Sequence, residues 1–235
     1  MKVLVIPDVH LKPWMFKRAY RLMKDGVAQK AVCLMDIPDD WGQEQNIDLY
    51  KETYDTAIAF AKEFPETRWC YGNHDLSYLW NQEESGFSRN ARDTVVCKLH
   101  ELDNVLSDDN KIQYVHRIDK VMFSHGGVSE RFVRNLVSKE RFHDTDYVLD
   151  TINHLGYREM WRNSSPIWVR PQFNIQYMYM YESFLQVVGH TPVEDISVCE
   201  NVVSTDVFST YRNGTPIGSQ KFAVVDTITF EVSSY

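Results

Sequence analysis

Five short apolar runs in this chain each end in an acid, an amide or a histidine, and that repetition limits what it can fold into. Residues 3–6 lead to Asp8 and His10, 31–35 to Asp36, 69–71 to Asn73, His74 and Asp75, 121–123 to His125, and 184–188 to His190. Runs this short and this apolar read as strands buried on both faces, because a strand with one wet face would alternate in polarity. Between the first three lie stretches with helical spacing: Phe16, Tyr20 and Met23 within 14–23, and Tyr50, Tyr54, Ile58 and Ala61 within 47–64. That alternation predicts a parallel sheet covered on both sides, so the N-terminal half is α/β. Ligands of such sheets bind where the carboxyl ends of several strands meet, so residues far apart in sequence converge on one crevice.

The remainder reads as a helix over 91–102, two strands over 112–118 and 120–123 that turn at Asp119, and a helical, aromatic-rich insert over about 130–182. Strands follow at 184–188, 202–207, 222–225 and 227–232. No repeat or linker interrupts the 235 residues, which predicts one domain over 1–235. With 25 Lys and Arg against 33 Asp and Glu, the formal charge of −8 opposes a phosphate backbone and argues against a general nucleic-acid binder. Cys33, Cys70, Cys97 and Cys199 form no Cys-x-x-Cys pair, and residues 1–6 are too short for a signal-peptide core, so reduced thiols and a cytoplasmic location are expected. No apolar run approaches the roughly 20 residues a membrane-crossing helix needs.

The donors at the strand ends are oxygen and nitrogen, without sulfur. That mixture suits Mn, Fe, Zn or Ni better than Ca or Mg, which prefer all-oxygen shells. The blocks themselves are Asp8-Val9-His10, Asp36 with Asp39 three on, Gly72-Asn73-His74-Asp75, Ser124-His125-Gly126-Gly127 and Gly189-His190-Thr191-Pro192. In this order they resemble the calcineurin-like metallophosphoesterases, and within them the phosphoprotein phosphatase branch with its bacterial and phage relatives. One short block alone would be weak; five in family order over residues 8 to 192 are not.

The resemblance implies a four-layer α/β/β/α sandwich of two mixed sheets flanked by helices, and a site with two divalent transition-metal ions, Mn foremost. Asp8 and His10 would hold the first ion, Asp36 would bridge both, and Asn73, His125 and His190 would hold the second. His74 would be the catalytic acid, with Asp75 orienting its ring or raising its pKa. A bridging carboxylate holds two cations about 3.5–4 Å apart, and imidazole is the commonest transition-metal ligand. The implied reaction is hydrolysis by in-line attack of a metal-bridging hydroxide, without a covalent phosphoenzyme.

Departures from the branch bear on substrate. Its Gly-Asp-x-x-Asp-Arg-Gly block stands here as Met35-Asp36-Ile37-Pro38-Asp39-Asp40-Trp41, with Asp40 at the phosphate-clamping arginine, and Tyr71 replaces a second arginine before Gly-Asn-His. Both losses remove bidentate contacts to phosphoryl oxygens. Trp168-Val169-Arg170 resembles the Trp-x-Arg segment of the phage and bacterial branch, which makes Arg170 the expected surviving clamp. Tyr177 and Tyr179, in the aromatic stretch before the last block, are candidate substrate walls, although packing against the protein is the simpler role for them. The expected substrates are phosphomonoesters, phosphoprotein included, then dinucleoside polyphosphates or other phosphoanhydrides; nucleic acid comes last. A non-catalytic binding module on the same scaffold is the rival, opposed by the full ligand set.

Other groups have simpler readings. His100, His116, His143 and His154 lie outside the blocks and read as satisfied surface or core residues. Asp39 and Asp40 read as either site residues or a solvated loop or helix cap. Asp206 reads as a turn acid between strands, and Cys33 and Cys70 as small buried hydrophobes.

Overall fold

The computed structural model describes residues 1–173 and 177–235. The chain runs β1 (Lys2–Ile6), α1 (Pro13–Lys24), β2 (Lys30–Cys33), α2 (Ile47–Glu63), β3 (Arg68–Trp69), α3 (Asn73–Trp80) and α4 (Arg92–Val105). It continues through β4 (Val115–Ile118), β5 (Val121–Ser124), α5 (Glu130–Leu136), α6 (Thr145–Asn153) and α7 (Tyr157–Met160). It closes with β6 (Leu185–Val188), β7 (Ser197–Cys199), β8 (Val202–Ser204), β9 (Ala223–Asp226) and β10 (Val232–Ser234).

The strands form two five-stranded sheets, in the orders β10-β9-β1-β2-β3 and β4-β5-β6-β8-β7. In the first, β1, β2 and β3 are parallel, β9 runs antiparallel beside β1, and β10 pairs antiparallel with β9; in the second, β5, β6 and β8 are parallel and β4 and β7 antiparallel. Each sheet therefore carries a run of three adjacent parallel strands, at one side of the first sheet and at the centre of the second. Their carboxyl ends bear the blocks read from the sequence.

Period-two alternation explains the layers. Val3 and Val5 of β1 join Val32, Val225, Val121, Phe123, Val187 and Val203 in the core between the sheets. Leu4 and Ile6, the alternate residues, face α1, α2 and α4 with Phe16, Tyr54, Ala57 and Leu99. On the far side, Val115 and Met122 pack with Phe132, Val133, Val148 and Ile152 of α5 and α6. Helices, sheet, sheet, helices is the expected four-layer arrangement. It leaves β1 with an apolar residue on both faces, which is why its sequence reads as an unbroken apolar run.

Several local expectations are corrected. The α/β half is a mixed sheet, because the C-terminal hairpin of β9 and β10 adds to it with β9 antiparallel to β1. Residues 227–231 are a turn and not a strand: Asp226 Oδ1 accepts the amides of Ile228 (2.8 Å) and Thr229 (3.0 Å), which stops β9 and delays β10 to Val232. Among the described residues the 130–182 insert holds three short α-helices, of which α6 is the longest at nine residues. Its residues 174–176 lie outside the described ones. The helix α3, not anticipated, starts within the Gly-Asn-His block. Among the described residues no helix is long and apolar enough to cross a membrane.

Candidate active site

The ends of six parallel strands converge. Asp8 and His10 follow β1, Asp36 follows β2, Asn73 opens α3 after β3, His125 follows β5, His190 follows β6 and Asp206 follows β8. Backbone hydrogen bonds tie the loops together: His10 N to Asp36 O (2.8 Å) and Gly189 N to His125 O (2.8 Å). His10, Asp36, Asp39 and His190 all have positive φ, between 40° and 68°. Such backbone is costly for non-glycine residues, and it concentrates here where the fold must aim side chains into one point.

Two groups of ligand atoms form, Asp8–His10–Asp36 and Asp36–His125–His190, each with its atoms within 4.8 Å of one another. Asp36 belongs to both. Asn73 Oδ1 lies 3.1 Å from His125 Nε2, and His190 Nδ1 lies 3.2 Å from the same nitrogen. The donors are oriented from behind: His125 Nδ1–H donates to Leu34 O (3.0 Å) and His10 Nδ1–H to Asp39 O (2.9 Å), which leaves each Nε2 for the cluster. Glycine makes room for it. A Cβ at Gly72 would overlap Asp36 Oδ1, and one at Gly189 would overlap Asp8 Oδ2.

The residues fit a metal centre. Asp8 Oδ2 and His190 Nε2 are buried polar atoms without a hydrogen-bond partner among the described residues, a costly state for a protein that holds no ligand at the site. Burial, aided by the neighbouring Asp206 carboxylate, pushes the Asp8 carboxyl well up. Burial holds His10 down at about 4 and His190 at about 2, so both imidazoles are neutral and their lone pairs available. His125 is buried too, but the Asp36 and Asp8 carboxylates push it up to about 10. A cation among these carboxylates would take over the charge that proton supplies.

His74 stands beside the cluster. Its backbone N–H donates to Asp36 Oδ1 (2.9 Å), and its ring meets that of His10 edge-on at 5.2 Å. Burial works against its charge, yet Asp36 and the hydrogen bond to Asp39 push it up to about 9. The ring partner is Asp39, with Nδ1 2.9 Å from Oδ2. Asp39 is 2% exposed and its Oδ1 accepts from the hydroxyls of Tyr50 (3.0 Å) and Tyr78 (2.5 Å), so it is a structured site residue and not a solvated loop acid.

The expected contact of Asp75 with the His74 ring is not made. The Asp75 carboxylate instead accepts backbone amides of Asp36 (2.9 Å), Ile37 (3.2 Å) and Gly72 (3.1 Å), because α3 turns adjacent side chains apart and points this one under the β2 loop. Asp40, in the position of the missing arginine, is paired with Lys12 (3.1 Å) and accepts from Thr210 (2.9 Å).

The cleft above these groups has a volume of about 390 Å³ and includes His10, Asp36, Asn73, His74 and His190 in its lining. Arg170 lines it, its Nη1 donating to His190 O (3.1 Å) and Thr191 Oγ1 (3.0 Å). Tyr177 and Tyr179 do not. Tyr179 is fully buried, its hydroxyl donating to Phe142 O (2.6 Å), and Tyr177 is an exposed residue outside the lining. The aromatic wall is made by Trp41 and Trp168 instead. Asp206 also lines the cleft, buried, with Ser209 Oγ donating to it at 2.9 Å; burial pushes its carboxyl up to about 6. It had a readable signal, since it follows an apolar strand as the other blocks do.

Comparison with known proteins agrees with this geometry. The family model of the calcineurin-like phosphoesterases matches residues 1–214. Among solved structures, a cold-active protein-tyrosine phosphatase of a psychrophilic Shewanella superposes with a TM-score of 0.59 at 14% identity, over 99% of this chain and 80% of that one. A metallophosphoesterase from Sphaerobacter thermophilus gives 0.50 at 15% identity, over 100% and 87%. No curated protein matches in sequence. Fold, cluster and family model together define a metal-dependent phosphoesterase. The chain belongs to the calcineurin-like phosphoesterase family.

Proposed function

We propose that this enzyme hydrolyses phosphomonoesters, in the manner of the phosphoprotein phosphatase branch, with two divalent cations of which Mn is the best fit. The observation that carries the reading is the Asp39–His74 pair set beside two ligand groups that share Asp36. Asp8, His10 and Asp36 would hold one ion, and Asp36, Asn73, His125 and His190 the other. When bound, the ions supply Lewis acidity and a water activated for in-line attack.

The chain's own residues do the rest. Asp39 fixes the His74 ring so that Nε2–H is free to protonate the departing oxygen, which spares the reaction an alkoxide. Arg170, anchored on the His190 loop, offers its remaining guanidinium donors to the phosphoryl oxygens. Lys12 neutralises Asp40, so the acid at the arginine position repels phosphate less than its sequence suggests. Free Cys97 and Cys199 at the surface favour a reducing, cytoplasmic setting.

The test is hydrolysis of p-nitrophenyl phosphate by protein stripped of metal and reconstituted with Mn, alongside metal analysis. Activity that appears with two ions per chain supports the reading; tight metal binding with no hydrolysis of any monoester would favour a binding module.

A further inference from the structure

Two of the side chains lining the cleft are indoles, and both are held in place by the protein. Trp41 Nε1 donates to Thr210 O (3.1 Å), and the Arg212 guanidinium lies 4.9 Å from its ring centre. Trp168 meets the Trp161 ring edge-on at 5.2 Å and the His190 ring at 5.6 Å. Neither is buried: Trp41 is 37% exposed and Trp168 is partly so. Rings fixed before binding offer a large flat contact at little ordering cost.

The charges of the cleft select further. Its lining carries Asp39, Asp40, Glu84 and Asp206 besides the candidate ligand Asp36, with Arg170 as its one Lys or Arg among the described residues. Asp39 is bonded to His74, Asp40 to Lys12 and Asp206 to Ser209. Glu84 has no side-chain hydrogen bond or ion pair among the described residues, and burial pushes its carboxyl up, a trend that Asp36 reinforces and His74 opposes. A second anion entering with the phosphate would meet an unpaired carboxylate; a neutral or cationic group would not.

We propose, resting on the phosphomonoesterase reading above, that the preferred substrates are phosphate esters of phenols. A phosphotyrosine side chain is the simplest such group. The aryl ring packs on Trp41 and Trp168, and the rest of the molecule is neutral or cationic where it passes Glu84.

Calorimetry on metal-loaded protein with non-hydrolysable phosphonates tests this independently of turnover. The wild type should bind phenylphosphonate about tenfold tighter than methylphosphonate. Trp41→Ala and Trp168→Ala should each cut that ratio at least threefold, and Trp168→Phe should retain most of it, which separates ring contact from misfolding. Trp14→Ala, on α1 outside the cleft, should leave the ratio alone. The 4-aminomethyl derivative should bind about fivefold tighter than the 4-carboxy derivative, a preference that Glu84→Gln should erase. A wild-type ratio near one, indole variants that keep the full ratio, or a charge preference of the opposite sign would each overturn the proposal. So would the non-hydrolysable phosphonate analogue of adenosine monophosphate binding as tightly as phenylphosphonate through the same indoles. Loss of hydrolysis alongside intact binding ratios would strike the enzymatic reading alone.

Discussion

Asp39 Oδ2 lies 2.9 Å from His74 Nδ1, and the hydroxyls of Tyr50 and Tyr78 hold the other oxygen of the same carboxylate. This fixes the tautomer and tilt of the ring through the carboxylate alone; Asp39 meets the candidate ligand His10 only through its backbone carbonyl, which a side-chain change leaves in place. Asp39→Asn should therefore keep its metals while hydrolysis falls roughly 10²-fold, within the usual worth of a positioned acid. The loss should be greatest for alkyl phosphates, which need protonation of the departing oxygen, and smallest for p-nitrophenyl phosphate. His74→Asn should show the same leaving-group dependence. An equal loss on all substrates would mean that the pair positions substrate and does not deliver a proton.

Asp75 provides the contrast. It holds three backbone amides of the β2 and β3 loops, so Asp75→Ala strands buried donors and should destabilise the fold by about 2–4 kcal/mol. Urea unfolding would measure it. Metal affinity should fall with it, because Asp36 N is among those amides. Whatever activity remains should keep the wild-type dependence on leaving group, unlike Asp39→Asn.

The close approach of Gly72 to Asp36 makes a third case. Gly72→Ala pushes a methyl group into Asp36 Oδ1, the carboxylate shared by both ligand groups, so metal content after dialysis should drop for both ions together. Asp36→Asn should do the same. Retention of two ions at wild-type affinity in Asp36→Asn would show that the carboxylate does not bridge.

These cases mark what was legible in the sequence. The convergence of Asp8, His10, Asp36, Asn73, His125 and His190 was readable because each sits at the carboxyl end of a short apolar strand, and parallel strands bring those ends together whatever the intervening chain does. Asp39 was ambiguous because its burial is made by Tyr50 and Tyr78, which come from α2 and α3 and carry no local signal. Adjacency misassigned Asp75, since neighbours on a helix point about 100° apart. Tyr179, a candidate substrate wall whose simpler role was packing, is core, while Trp168 lines the cleft. In an insert with three short helices and no long period, which aromatic faces inward is settled by tertiary packing. The C-terminal strands were blurred for a related reason: one Asx turn at Asp226 decides where β10 begins.

His116 lies outside the cleft and sets a pH response of stability. It is 5% exposed on β4, where its Nε2–H donates to Trp69 O (3.0 Å). Burial, with Arg68 nearby, holds its pKa down at about 4, although the hydrogen bond to the Trp69 carbonyl pulls the other way. Its unfolded value is about 6.5. Between these two values the unfolded chain binds a proton that the folded chain refuses, so the stabilising effect is complete above about pH 6.5 and is lost as the pH falls toward 4. Two and a half units correspond to about 3 kcal/mol at most. His116→Gln keeps an amide donor for the Trp69 carbonyl and has nothing to titrate. Urea unfolding of both proteins at pH 7.5 and pH 4.5 isolates this residue, because His10 and His190 contribute equally to each. The wild type should lose about 2–3 kcal/mol more than the variant across that interval; equal losses would show that His116 is protonated in the folded protein at little cost.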